Sequence, residues 1–424
     1  MTNTRKIIVL ISTLFYSILS FAGGPLILEG PNGNTPVTYQ NPDITVHIEN
    51  GDLGTRTNDI ADVLVQSAFG LWNNVNTSNV NLIIDEIQLE LIDIDINNFD
   101  TYIPNIDGTI FNADDNLNPV VYDSDGKIIE AFFGSQSDLI IGFSASIYTA
   151  RGSYFEEGYA VINGSIKLTD IELKLLIAHE IGHFFGLDHT QVDINNQESS
   201  DFPPFCSTSI PENYPLMYPF VCRNVESLHS DDISAVSALY PATNINDNFG
   251  ILEGRFVDDS GTPILGANIW VENTVSGDSY SIVSDYLVQG TGYYRLYLPA
   301  GSYTLHANSI NPEFNAGSGV GPYSLTTFDI SFQCPHPIIP VTYQGDSDGS
   351  DELITLSANQ TIQINFSVNG GLANVHISSD SDDDSFFEDL FGATSHITLF
   401  LLVALLVTGR LISIRSNHSR DKDK

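Results

Sequence analysis

Three histidines set around a glutamate single out one stretch of the 424-residue chain: His179-Glu180-Ile181-Gly182-His183-Phe184-Phe185-Gly186-Leu187-Asp188-His189. Residues four apart share one face of an α-helix, so His179 and His183 aim two imidazoles at one point. Glu180, one step round, can reach a water on a metal held there without ligating the metal. Gly186 has no Cβ and can take positive φ, so it can end the helix and turn the chain back. That turn lets His189 supply a third nitrogen. Three neutral imidazoles with a vacant fourth position describe a catalytic zinc site rather than a closed structural one. Zinc lowers the pKa of a bound water to about 7 and polarises a carbonyl, while Glu180 accepts the proton and passes it to a leaving amine. The competing reading, histidines that merely occupy a helix surface, requires the glycine and the third histidine to fall at their offsets by chance.

The elements that must position these residues are legible around them. Thr169-Asp170-Ile171-Glu172 is a capping box and predicts a helix over Asp170–Phe185. Its packed face is read from Ile171, Leu175, Ala178 and Gly182, widened by Leu176. Upstream, Ile44–Ile48 alternates as a strand, and Asn58–Asn73 reads as an amphipathic helix with Ile60, Val63, Leu64, Leu71 and Trp72 inward. Val80–Ile96 holds β-rich stretches, and Leu139–Phe143 and Tyr159–Ile162 are further strands.

The extended histidine motif resembles that of the metzincin zinc peptidases. Pro215-Leu216-Met217-Tyr218-Pro219 resembles the methionine turn that the matrixin branch carries beneath its zinc, with ordinary core filling as the competing reading for Met217. Leu228-His229-Ser230-Asp231-Asp232-Ile233, with Ala235-Val236 and Leu239-Tyr240, resembles the last helix of a matrixin catalytic domain. The resemblance implies that Asp231 and Asp232 support the methionine turn and the domain's N-terminus, although acids are favoured in any first helical turn. Tyr218 directly follows the methionine, one place short of the zinc-ligating tyrosine of some metzincins, and is not assigned to the metal.

The same resemblance implies an α+β catalytic domain over residues 35–241, a mixed twisted sheet with the zinc helix beneath, and a protein or peptide substrate. Tyr159–Asn163 is then the edge strand bordering the cleft, where an extended substrate adds as another strand. Matrixins keep calcium in the loop between their strands, which makes Asp114, Asp115, Asp123 and Asp125, with Gly126, candidate calcium ligands. Their spacing matches no calcium motif, and a solvated acidic loop competes. Matrixins are usually made with a prodomain whose cysteine blocks the zinc; no cysteine precedes Cys206, so latency of that kind is not expected. Cys206 and Cys222 bracket the methionine turn, and a disulfide between them would stiffen the loop from His189 to Met217, leaving Cys334 over.

After Pro241–Asn248 the texture changes to short strands punctuated by Gly, Pro and Asp. Gly254-Arg255-Phe256-Val257-Asp258 and Gly261–Ile269 resemble the opening of a carboxypeptidase regulatory-like domain, and Gly292–Leu305 its closing hairpin. The resemblance implies a small antiparallel β-sandwich over residues 250–370. Tyr293, Arg295 and Tyr297 alternate against Tyr294, Leu296 and Leu298, which reads as a strand on periodicity alone, and Ile362–Val368 is a candidate late strand. No chemistry is visible there, so a spacer or a substrate-binding accessory is expected.

Net charge is −38, from 15 basic and 53 acidic residues, which excludes nucleic acid as an expected partner. Arg5-Lys6, the apolar run Ile7–Leu19 and Ser20-Phe21-Ala22 read as a signal peptide over residues 1–22, with an uncleaved anchor as the alternative. Gly392–Gly409 contains no charged residue and is followed by Arg410, Arg415, Arg420, Lys422 and Lys424. This reads as a transmembrane or sorting segment over 392–414 with a basic cytoplasmic tail over 415–424, preceded by an acidic tether over 378–391. The expectation is an exported, membrane-tethered zinc endopeptidase at the cell surface or envelope. A surface adhesion or binding protein with an inactive metzincin-like module is the alternative.

Overall fold

A computed structural model of the protein describes residues 24–29, 33–85, 89, 91–103, 117–148, 154–192, 211–310, 320–321, 338–345 and 350–373. The expected signal peptide, acidic tether, membrane segment and basic tail lie outside these residues, as do Asp114, Asp115, Cys206 and Cys334. Among the described residues, no helix is long and apolar enough to cross a membrane.

The fold is α+β. Short strands β1 (Leu28–Glu29), β2 (Thr35–Pro36) and β3 (Thr38–Tyr39) lead into β4 (Asp43–Ile48), helix α1 (Asn58–Asn73) and β5 (Asn81–Asp85). There follow β6 (Pro119–Asp123), α2 (Lys127–Phe133), β7 (Gly142–Tyr148), β8 (Tyr154–Asn163) and α3 (Asp170–Phe184). The sheet runs β3-β8-β6-β4-β5, all parallel, with β7 added antiparallel to β8.

Successive strand residues point to opposite faces, and both faces of the central strands are covered. Val120, Tyr122, Ala160 and Ile162 join the core shared with α1 and α3. Val121, Tyr159, Val161 and Phe143 join a second core with Ile128 and Ile129 of α2. This double burial corrects the expected edge. Tyr159–Asn163 lies between β6 and β7, as its uninterrupted apolar run demands, and among the described residues the edge strand is β7.

Three further expectations shift for physical reasons. Among the described residues of the β-rich stretch Val80–Ile96, only β5 is a strand; beyond it Leu89 and Ile94 plug the second core, and Ile94 N is held by Glu49 Oε2 at 2.5 Å. Helix α1 has the expected bounds, but its inward stripe is Ala61, Leu64, Val65, Ala68, Phe69 and Trp72, leaving Ile60 and Val63 on the flank at 47% and 59% exposure. In α3 the capping box is present, Glu172 N to Thr169 Oγ1 at 3.3 Å and Thr169 N to Glu172 Oε2 at 2.7 Å. Ile171 is 41% exposed, whereas every residue from Leu175 to Phe184 is buried, because the helix is enclosed all round rather than along one stripe.

Beyond α4 (Ser230–Leu239) and the single turn α5 (Ile245–Asn248) comes a unit whose described elements are all strands: β9 (Phe249–Val257), β10 (Ala267–Asn273), β11 (Ser279–Val283), β12 (Tyr293–Pro299), β13 (Gly301–Ser309), β14 (Val341–Thr342), β15 (Ile354–Leu356) and β16 (Thr361–Ser367). One sheet runs β12-β9-β16 and the other β11-β10-β13-β14, with β15 on β13. Tyr294, Leu296 and Leu298 face the core between the sheets, meeting Ile269, Val271 and Leu305, as the alternation in β12 requires. The sandwich is not wholly antiparallel, because β16 pairs with β9 in parallel. The chain crosses from β15 in one sheet to the start of β9 in the other, where Ile251 N is held by Gln360 O at 2.7 Å. A separate apolar cluster joins the two units: Val192, Tyr214, Tyr218 and Cys222 pack with Val283, Ile310 and Val320.

Candidate metal centre

Helix α3 ends where Gly186 takes φ +105°, a conformation open to glycine at little cost. Leu187 N then bonds Gly182 O at 2.9 Å, and Leu26 N bonds Gly186 O at 2.7 Å, so the segment ahead of the expected boundary at Thr35 pins the turn from outside. The reversal brings His189 back over the helix. The three Nε2 atoms converge, His179 to His183 at 3.1 Å, His183 to His189 at 3.0 Å and His189 to His179 at 3.3 Å.

The donor set fits a cation. His179 Nδ1 lies 2.7 Å from Leu216 O, and His183 Nδ1 lies 2.7 Å from Leu187 O. A carbonyl oxygen only accepts, so both rings carry their proton on Nδ1 and present an Nε2 lone pair to the centre. Burial pulls the His179 pKa down to about 4, and burial together with the neighbouring histidines pulls that of His183 well below the usual range, so both are neutral at pH 7. Lone pairs gathered this closely repel unless a positive ion stands between them. Nitrogens around a tetrahedral zinc at about 2.0–2.1 Å would stand about 3.3–3.4 Å apart, slightly wider than this triangle. His179, His183 and His189 are close enough to bind a metal ion, and among the described residues no other group is.

Glu180 is buried beside the triad, and desolvation lifts its pKa to about 8; a cation at the histidines would act in the opposite direction. Edge strand β7 passes the carboxylate so closely that a Cβ on Gly142 would sit 3.1 Å from Glu180 Oε1. On the other side Met217 is buried beneath the helix, and a Cβ on Gly182 would overlap its sulfur. Asp232 straps this turn. Its Oδ2 accepts from Leu216 N at 2.7 Å and its Oδ1 from Met217 N at 3.0 Å, while Oδ2 also caps α4 through His229 N at 2.9 Å. Since Leu216 O orients His179, Asp232 reaches the first ligand through one intervening residue. Asp231 is directed elsewhere: its Oδ1 accepts from Ser281 N of the sandwich at 2.6 Å.

The remaining described candidates fall outside the centre. Tyr218 packs its ring on Tyr214 at 5.0 Å. Cys222 is disulfide-bonded to a cysteine outside the described residues, so the pairing with Cys206 stays an expectation. Of the calcium candidates, Asp123 spends its two oxygens on Ile128 N at 3.1 Å and Ile129 N at 2.8 Å, and Asp125 is paired with Lys127, which lowers its pKa. Asp114 and Asp115 lie outside the described residues, so the set as a whole stays an expectation. Conversely, Gly142, the Leu216 carbonyl and Ser281 had no local signal in the sequence, because each touches the site from a distant part of the chain.

No protein-family model matches the chain, and no curated protein matches it. Among solved structures, 5-hydroxyisourate hydrolase from Klebsiella pneumoniae is 18% identical, covering 31% of this chain and 94% of its own, with a TM-score of 0.16. A leucine-rich repeat protein from Bacteroides thetaiotaomicron VPI-5482 is 13% identical, covering 30% of this chain and 14% of its own, with a TM-score of 0.17. Scores this low carry no argument, which leaves the geometry of the triad as the ground for a functional reading.

Proposed function

We propose that the chain is an exported, membrane-tethered zinc endopeptidase of matrixin type. The observation that carries the reading is the buried triangle of three histidine nitrogens, two with lone pairs fixed inward by their carbonyl partners, with a carboxylate one residue along the same helix. Zinc bound there would polarise a peptide carbonyl and lower the pKa of a bound water to about 7. Glu180 is the general base that removes a proton from the attacking water and the general acid that returns it to the leaving amine. The side of β7 that pairs with no strand among the described residues would receive an extended substrate as an added strand, bringing its backbone past Glu180. Leader and membrane segment belong to the proposal on their sequence alone.

The test combines zinc content with hydrolysis of a denatured protein, wild type against Glu180→Ala. Removing the general base should leave zinc bound and lower turnover by about 100- to 10,000-fold. A zinc-replete wild type no more active than Glu180→Ala would favour the adhesion or binding module instead.

A further inference from the structure

Residues 188–192, which carry the third ligand, belong to no described helix or strand, so something else must hold them. Two holds are local: His189 N donates to Asp188 Oδ1 at 2.7 Å, and Thr190 N donates to Met217 O at 2.9 Å. A third, Asp188 N to Gly24 O at 3.2 Å, comes from the segment ahead of β1, and further holds come from the sandwich. Thr190 Oγ1 lies 2.9 Å from Ser281 Oγ, Val192 N donates to Ser281 Oγ at 3.0 Å, and Gln191 Nε2 donates to Ser309 O at 3.2 Å. The N–H of the same Ser281 donates to Asp231 Oδ1. One serine of β11 therefore ties the ligand loop, helix α4 and the second sheet at a single buried point.

Val192 gives a second, independent sign that the sandwich imposes this loop conformation. Its φ is +26°, a region that β-branched residues almost never occupy. Such a conformation persists only where the surroundings over-determine it. Here they do: the Val192 side chain is clamped among Val283, Ile310 and Val320 on the sandwich side and Tyr214 and Tyr218 on the other.

The geometry points to Ser281 as a positioning residue for His189, and to the β-sandwich as a component of the metal centre rather than a spacer beside it. This rests on the reading of the histidine triad as a metal site. The two neighbouring acids of α4 then divide the work. Asp232 steadies His179 through Leu216, and Asp231 steadies His189 through Ser281 and Thr190.

Partners outside a metal's own ligands typically change metal affinity by about 10- to 100-fold when removed. The test measures zinc affinity of the full chain by competition with a chromophoric chelator, alongside thermal unfolding of each variant. Ser281→Ala should bind zinc about 10- to 100-fold more weakly. Thr190→Val keeps its shape, loses the same contact and should weaken binding in the same direction, and the double variant should lose less than the product of the two. Ser234→Ala removes another contact between α4 and the sandwich, Ser234 Oγ to Tyr297 O at 2.6 Å, which runs to β12 rather than to Ser281 or the ligand loop. It should lower the melting temperature and leave zinc affinity unchanged.

Wild-type affinity in Ser281→Ala would overturn the assignment, as would an equal loss in Ser234→Ala, which would mean that docking in general is what matters. Should Ser281→Ala fail to fold, unchanged zinc affinity in Thr190→Val would overturn it equally. A wild type that binds no zinc would remove the metal reading and this inference together. Zinc binding without peptidase activity would leave the inference standing and remove only the enzyme.

Discussion

Two imidazoles whose Nδ1 atoms face carbonyl oxygens have no choice of tautomer, and that fact turns a cluster of histidines into a ligand set. The carbonyls of Leu216 and Leu187 settle it for His179 and His183. Beneath them, Gly182 is small because Met217 needs the space. Gly182→Ala should force the methionine sulfur away, costing about 1–3 kcal/mol by overpacking and weakening metal binding with it. Urea unfolding and chelator competition on the same preparation measure both, and a stable variant of undiminished affinity would show the packing to be slack. At this scale the sequence was readable where chemistry is local. The ligands, the base and the turning glycine sit within a dozen residues, so spacing alone implied their convergence. Ser281 lies 91 positions from the threonine it contacts, and nothing in its neighbourhood announces the partner.

Among the elements, α4 does the most with the least. Its first turn carries an acid whose two oxygens accept from three backbone N–H groups, two of them in the methionine turn. Asp232→Asn replaces one acceptor by an amide that faces donors. The expected cost is about 1–3 kcal/mol from groups left unsatisfied, with zinc affinity falling because Leu216 O no longer aims His179. Denaturant titration and metal competition check the two halves, and loss of stability alone would confine Asp232 to capping. Elements were legible in kind and less so in their faces. The bounds of α1 follow from period and the start of α3 from its capping box, but which side of α1 is buried depends on where the sheet and α3 lie, which the period that places Ile60 and Val63 inward does not report. The edge strand was misplaced for the same reason. An apolar run shows that a strand is covered, and only the pairing shows that β7 lies outside β8.

For the whole molecule, acid should act on the sandwich before it reaches its carboxylates. His306 is stacked on Trp270 at 4.0 Å, bonded to the hydroxyls of Thr304 and Thr342, and held by burial at a pKa of about 4. Its unfolded value is near 6.5. Below pH 6.5 the unfolded chain takes up a proton that the folded chain refuses until about pH 4, so this group's contribution is complete above 6.5 and is lost as pH falls towards 4. The loss is at most about 3 kcal/mol. His306→Phe keeps the stack and should flatten the acid limb of a stability–pH curve; a limb unchanged from wild type would place the sensitivity elsewhere. The shift in texture near residue 241 is legible in the sequence, but the apolar cluster that joins the segments on either side of it is not, because its members are scattered from Val192 to Val320.

The parallel seam between β9 and β16 fixes an order of events. The opening strand of the sandwich finds one of its neighbours only when residues 361–367 arrive, and until the sandwich closes, the loop behind His189 lacks its bonds to Ser281 and Ser309. In a chain emerging residue by residue those bonds come late, so a peptidase of the kind proposed would gain its full metal affinity only after nearly all of the sandwich had been made.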